Sequence, residues 1–131
     1  MLLDSNQPSA ISLMSSIPDF TPEETKVVND TLQERYGQPV EAQLVDVELR
    51  LNPDDSQVTD CPAFYWEYDD CHFVLAKTGD SSFHSQFFYG NREQFGTGRY
   101  SYDDILDCLV TTLRVQADHE LERNKVKDLN E

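Results

Sequence analysis

The side chains in this 131-residue sequence best suited to metal binding or nucleophilic chemistry are Cys61, Cys71, Cys108, His72 and His84. Structural zinc sites usually contain a close pair such as Cys-x2–4-Cys, and these three cysteines form none. Cys71 and His72 are neighbours on an expected strand, where adjacent side chains point to opposite faces, so the imidazole cannot activate the thiol. In the register that the turns imply, His72 and His84 also fall on opposite sides of the sheet and could not share a metal. Gly96-Thr97-Gly98 lacks the preceding strand, the following helix and the third glycine of a phosphate-binding loop. Residues 52–60 carry three aspartates but not the spacing of a calcium loop. The chain is therefore expected to have no catalytic residue, no cofactor and no metal ligand, and not to be an enzyme.

Charge narrows the partners. The sequence has 25 acidic and 10 basic residues, a formal net charge of −15. A field of that sign repels nucleic-acid phosphate and anionic membranes, and suits a partner that presents basic groups. The carboxylates come as scattered pairs (Glu23-Glu24, Asp54-Asp55, Asp69-Asp70, Asp103-Asp104), which reads as a solvated surface. Mimicry of DNA is the alternative use of such a charge. The start, Met1-Leu2-Leu3-Asp4, has no basic segment, and no apolar run approaches the roughly 20 residues of a membrane span. An odd cysteine count without a disulfide spacing points to reduced thiols. The expected setting is the cytoplasm, away from membranes.

The elements that position these residues are legible in outline. Residues 1–19 read as a flexible arm, with apolar residues between Ile11 and Ile17 that could dock. Thr21, Pro22 and Glu24 form a helix start with a capping box, Val28, Leu32 and Tyr36 give one apolar stripe, and Gly37 with Pro39 ends it. A helix over 22–36 follows. Val45, Val47, Leu49 and Leu51 alternate with polar residues as a half-buried strand, and a phase change at Leu44-Val45 marks a bulge or the strand's beginning. Strands are expected at 61–68, 71–77 and 82–89, with turns at Asp69-Asp70 and 78–81, and a loop at 92–100. Ser101 is the expected cap of a last helix whose stripe is Leu106, Val110, Leu113, Ala117 and Leu121, reinforced by Ile105 and Leu109. Residues 122–131 read as a charged tail that frays. The order is α-β-β-β-β-α: one α+β domain over 20–121, a four-stranded antiparallel sheet with an N-terminal and a C-terminal helix.

Nine of the 14 aromatic residues lie between Phe64 and Tyr89, too many for one face of a strand pair. If the Asp69-Asp70 turn pairs Tyr68 with Cys71, then Phe64, Trp66, Phe73 and Leu75 share one side. Tyr65, Glu67, His72, Val74 and Ala76 share the other. If the next turn pairs Lys77 with Ser82, this second side also receives Phe83, Ser85, Phe87 and Tyr89. Two helices cannot cover both sides generously, so the second face is expected to stay open and to bind a partner through Tyr65, Glu67, His72, Val74, Phe87 and Tyr89. The competing arrangements are one helix on each face, or a homodimer through the same face. A small-molecule or metal pocket near His72 or His84 is the alternative from another class.

Two families resemble this plan. Size, acidity and an α+β architecture resemble the small acidic chaperones of type III secretion, which dimerise and bind an effector segment, although their central helix between strands has no counterpart here. The 61–68 strand followed by Ser82-Phe83-His84-Ser85-Gln86-Phe87-Phe88-Tyr89-Gly90 looks like a small cyanobacterial carboxysome assembly factor, a resemblance that spans residues 20–120. It implies an assembly role and, as partner, the C-terminal tail of a hexameric shell protein. Both resemblances imply a binder of protein segments.

Overall fold

The computed structural model describes residues 17–51, 54, 56–90 and 93–129, with side chains up to residue 125. Helix α1, Pro22–Tyr36, starts where its capping chemistry dictates. Thr21 Oγ1 accepts the Glu24 N–H at 3.1 Å, and Glu24 Oε1 accepts the Thr21 N–H at 2.8 Å. Gly37, at φ 72°, closes the helix with its N–H on the Gln33 carbonyl. Its stripe buries Val28 and Leu32 and lays Tyr36 on Tyr68, ring centroids 3.9 Å apart.

Five antiparallel strands follow in chain order across one sheet: β1 (Gln43–Leu49), β2 (Thr59–Tyr68), β3 (Cys71–Gly79), β4 (Ser82–Phe88) and β5 (Gln94–Phe95). The two-residue β5 lies in the segment that reads as a loop, and it caps the β4 edge by pairing Phe87 with Phe95. β1 begins at Gln43 and pairs with β2 without a register shift, so the phase change at Leu44-Val45 marks a strand start and not a bulge. Between β2 and β3 the register is the expected one: Tyr68 pairs with Cys71, Trp66 with Phe73 and Phe64 with Leu75. Asp69 and Asp70 both take positive φ, 55° and 68°, the signature of a tight hairpin turn.

The next hairpin differs from expectation. Gly79 pairs with Ser82, and a bulge between Lys77 and Gly79 makes Lys77 pair with Phe83. One extra residue in β3 turns every β4 side chain to the opposite face. Phe83, Ser85 and Phe87 therefore join Phe73 and Leu75, whereas His84, Gln86 and Phe88 join His72 and Val74.

Helix α2, Ile105–Leu129, begins later than expected and runs further. Residues Phe83 and Tyr102 exchange two backbone hydrogen bonds of 2.8 Å, which keeps Tyr102 extended. Ser101 is occupied with Ser82, and Asp104 takes over the cap by accepting the Asp107 N–H at 2.9 Å. The helix is continuous through Leu129, across the region expected to fray. Both helices pack on the same side of the sheet. Val28 and Leu32 of α1 and Ile105, Cys108, Leu109 and Leu113 of α2 form one core with Phe64, Trp66, Phe73, Leu75, Phe83 and Phe87. The arrangement of one helix per face does not occur. No helix among the described residues is long and apolar enough to cross a membrane.

Candidate functional site

With both helices on one side, the other face of the sheet is covered unevenly. At one end Cys61, Ala63 and Ala76 are fully buried beneath Ile17, Val45, Val47, Leu49, Leu51 and Val74. Of the N-terminal arm, residues 17–19 are described, and Ile17 packs here; the arm's residues 1–16 lie outside the described residues. The same end is closed by Tyr100, whose ring lies 4.3 Å from that of His84 and whose hydroxyl donates to the Arg50 carbonyl at 3.0 Å. His84 is buried, with Nδ1 2.7 Å from the Tyr100 carbonyl and Nε2 3.1 Å from the Gln86 amide, so its ring is held and satisfied.

The other end carries the candidate site. Tyr65, His72 and Phe88 stand on β2, β3 and β4, all half-buried. Alternation puts them on one face, and diagonal cross-strand neighbours are within reach of aromatic rings. His72 lies 4.9 Å from Phe88 and 6.0 Å from Tyr65, both nearly parallel, so three rings form a row across three strands. Tyr65 Oη and His72 Nδ1 are 2.6 Å apart, and the exposed Glu67 carboxylate reaches 3.8 Å from the same nitrogen. Val74 pairs with Tyr65 on the same face, beside the row. The arrangement offers a flat apolar strip with a hydroxyl, an imidazole and an anionic rim. A strip of this kind is a surface on which a protein segment can lie.

Of the six residues assigned to a binding face from sequence, the structure brings together Tyr65, Glu67, His72 and Val74. Phe87 and Tyr89 are placed elsewhere, as a correction. Phe87 is fully buried in the helix-covered core, and Tyr89 packs against that core. Tyr89 Oη accepts from Gln116 Nε2 at 3.2 Å and lies 3.3 Å from His119 Nδ1, while the Arg123 guanidinium sits 3.8 Å above its ring. The cause is the Lys77–Gly79 bulge, which exchanges Phe87 for Phe88. The missed residues are Phe88 and Gln86. The turn residues at 78–81 do not mark the bulge that brings them there; in the structure a Cβ on Gly79 would come within 3.3 Å of Ser82, closer than most side chains tolerate. The same shift puts His72 and His84 on one face, against expectation, four strand positions apart.

The thiols are poor nucleophiles for a physical reason. All three are buried, and burial pushes Cys71 up to about 12 and Cys108 up to about 11, with Cys61 raised as well. Among the described residues, no group of three His, Cys, Asp or Glu side chains is arranged to hold a metal ion. Comparison of the chain with family models, with curated proteins and with solved structures finds no match.

Proposed function

We propose that this protein is a non-enzymatic adaptor or assembly chaperone that receives a peptide or protein segment on the open end of its sheet, around Tyr65, Glu67, His72, Val74 and Phe88. One observation carries the reading: a row of three half-buried rings on a sheet face that neither helix shelters. Aromatic rings held by neighbours on strands are low in conformational entropy, and such residues supply much of the energy at protein interfaces. Glu67, exposed at the row's end, steers a basic segment, in keeping with a net charge of −15. The three free, buried cysteines fit action in the cytoplasm. The resemblance to the carboxysome assembly factor supplies the specific candidate, the C-terminal tail of a shell protein.

The test is the double variant Tyr65→Ala with Phe88→Ala. Partners captured from the native cell, and the shell-protein tail as a synthetic peptide, are titrated against both forms. Binding is expected to weaken by tenfold or more, about 1.4 kcal/mol or above, with the melting temperature nearly unchanged. Unaltered binding removes these rings from the interface. A large fall in melting temperature makes them core instead.

A further inference from the structure

The N-terminal arm meets the sheet on the same face that carries the ring row. Ile17 packs there against Cys61, Ala63 and Ala76, all three fully buried. Alanine is too short to shelter itself on a sheet face, so its burial needs cover from above. Among the described residues, Ile17 and Leu51 are the apolar side chains from outside the strands that pack on this cluster. From here the face continues in levels set by the register. Ala63 pairs with Ala76, then Tyr65 with Val74, then His72 with both Glu67 and Phe88. Same-face positions are two residues apart, so the third level lies about 13 Å along the strands from the first. In the other direction the face is closed by Leu51 and by Tyr100, whose hydroxyl is bonded to the Arg50 carbonyl. The chain before Ile17 therefore has uncovered apolar surface on one side only, that of the rings.

We propose that residues 11–16 of the N-terminal arm continue from Ile17 across this face and cover Tyr65, His72 and Phe88 in cis, until a partner segment displaces them. The arm's sequence selects it as the occupant on three counts. Ile11, Leu13 and Ile17 alternate with Ser12, Met14 and Ser16, so the side of an extended chain that lays Ile17 on the sheet also lays Leu13 and Ile11 on it. At about 3.3 Å per residue, Leu13 and Ile11 stand roughly 13 and 20 Å from Ile17, a span that reaches the ring row. Residues 5–18 contain no charged side chain, the longest such run in a sequence of net charge −15. An uncharged segment approaches this acidic domain without the repulsion that a second copy would meet. A tether this short holds the arm at an effective concentration in the millimolar range, so a weak contact suffices. The displacement rests on the binding role proposed above for the same face. The arm brings no cation to Glu67 and a basic segment does, so the partner has an attraction that the arm lacks.

The arm is tested in the full chain, with no partner present. The three native cysteines are buried, so a nitroxide label attached through Ser12→Cys, a position that the alternation turns away from the sheet, reports where the arm lies. Nuclear magnetic resonance signals of Tyr65, His72, Val74 and Phe88 are expected to broaden, while those of Leu106 and Val110 on the helix layer are not. Adding Ile11→Asp and Leu13→Asp to the labelled chain is expected to abolish the broadening with circular dichroism unchanged. A synthetic peptide of residues 5–18 gives a second measurement. Added in trans, it is expected to shift the same four signals of the unlabelled Ile11→Asp, Leu13→Asp chain at about tenfold lower concentration than those of the wild type, whose row is occupied. Broadening that misses the row, spreads evenly over both layers or survives the two aspartates overturns the proposal. So does a peptide that shows no preference for the substituted chain. Failure of a basic partner to bind at the row would instead sink the adaptor reading and leave the arm's seat in place.

Discussion

Glu24 illustrates how one side chain can serve two levels of structure. Its carboxylate closes the capping box of α1, and the same Oε1 lies 2.8 Å from Lys77 Nζ, which also donates to the Asp19 carbonyl at 3.0 Å. The Lys77 side chain is only 2% exposed and that of Glu24 16%. A desolvated ammonium is costly unless paired and hydrogen-bonded, so these two acceptors allow Lys77 to sit at the end of the β3 core stripe. Removing one member of such a pair typically costs about 3–5 kcal/mol, and the partial exposure of Glu24 places Glu24→Ala near the lower figure, cap included. Glu24→Gln is expected to lose less, since its amide oxygen can still accept the Thr21 N–H. Urea unfolding of both variants checks the order; a cost for Glu24→Ala below about 1 kcal/mol would reduce the ion pair to a surface contact. Sequence pattern reveals the cap but not the ion pair, because residues 24 and 77 meet only through the packing of α1 on the sheet.

At the level of elements, the two hairpins separate what pattern can and cannot reveal. The β2–β3 register is legible because Asp69-Asp70 leaves room for a two-residue turn only, and that turn decides which of Phe64, Tyr65 and Trp66 face inward. Glycine takes positive φ without the steric cost that a Cβ imposes, and Asn-Gly is the favoured pair for a two-residue hairpin turn of this kind. Replacing Asp69 with Asn and Asp70 with Gly is therefore expected to stabilise the protein by roughly 1 kcal/mol, raising the melting temperature by a few degrees without moving the register. A fall in melting temperature would mean that the aspartates do something else there. The β3–β4 register is not legible in the same way. Turn composition at 78–81 fits a pairing with or without a bulge, and one residue decides whether Phe87 or Phe88 meets water. The buried side of α2 is hidden for a different reason. Its core positions include Cys108 and Thr112, and Thr112 is satisfied by hydrogen bonds with Ser85 and the Cys108 carbonyl. A polar residue with internal partners belongs in a core as well as a leucine does, but no hydropathy pattern marks it. The more apolar line, Leu106 to Leu121, consequently draws attention although three of its five members remain exposed.

For the molecule as a whole, the dominant electrostatic fact is excess negative charge, and it competes with the local ion pairs. The 25 acidic residues exceed the 10 basic ones by 15, so most carboxylates repel one another across the surface however the bases are placed. Of the described ion pairs, Lys26–Asp30, Arg99–Asp107, Arg123–Glu120 and Lys125–Glu122 are substantially exposed, each worth no more than about 1 kcal/mol. Lys77–Glu24, by contrast, is shielded from solvent and hence from salt. Added monovalent salt screens both the surface pairs and the general repulsion; the repulsion involves many more charges, and shortening the Debye length from about 30 Å at 0.01 M to about 8 Å at 0.15 M removes most of it. The melting temperature is therefore expected to rise as sodium chloride is added at neutral pH, levelling off above physiological strength. The same salt is expected to slow capture of a basic segment by the Tyr65–Phe88 face, because screening removes the long-range attraction that steers it there. Differential scanning calorimetry and stopped-flow association, run across one salt series, measure the two trends. A melting temperature that falls with salt would show that specific surface pairs outweigh net repulsion in this fold. An association rate indifferent to salt would mean that the partner at the ring row is not basic.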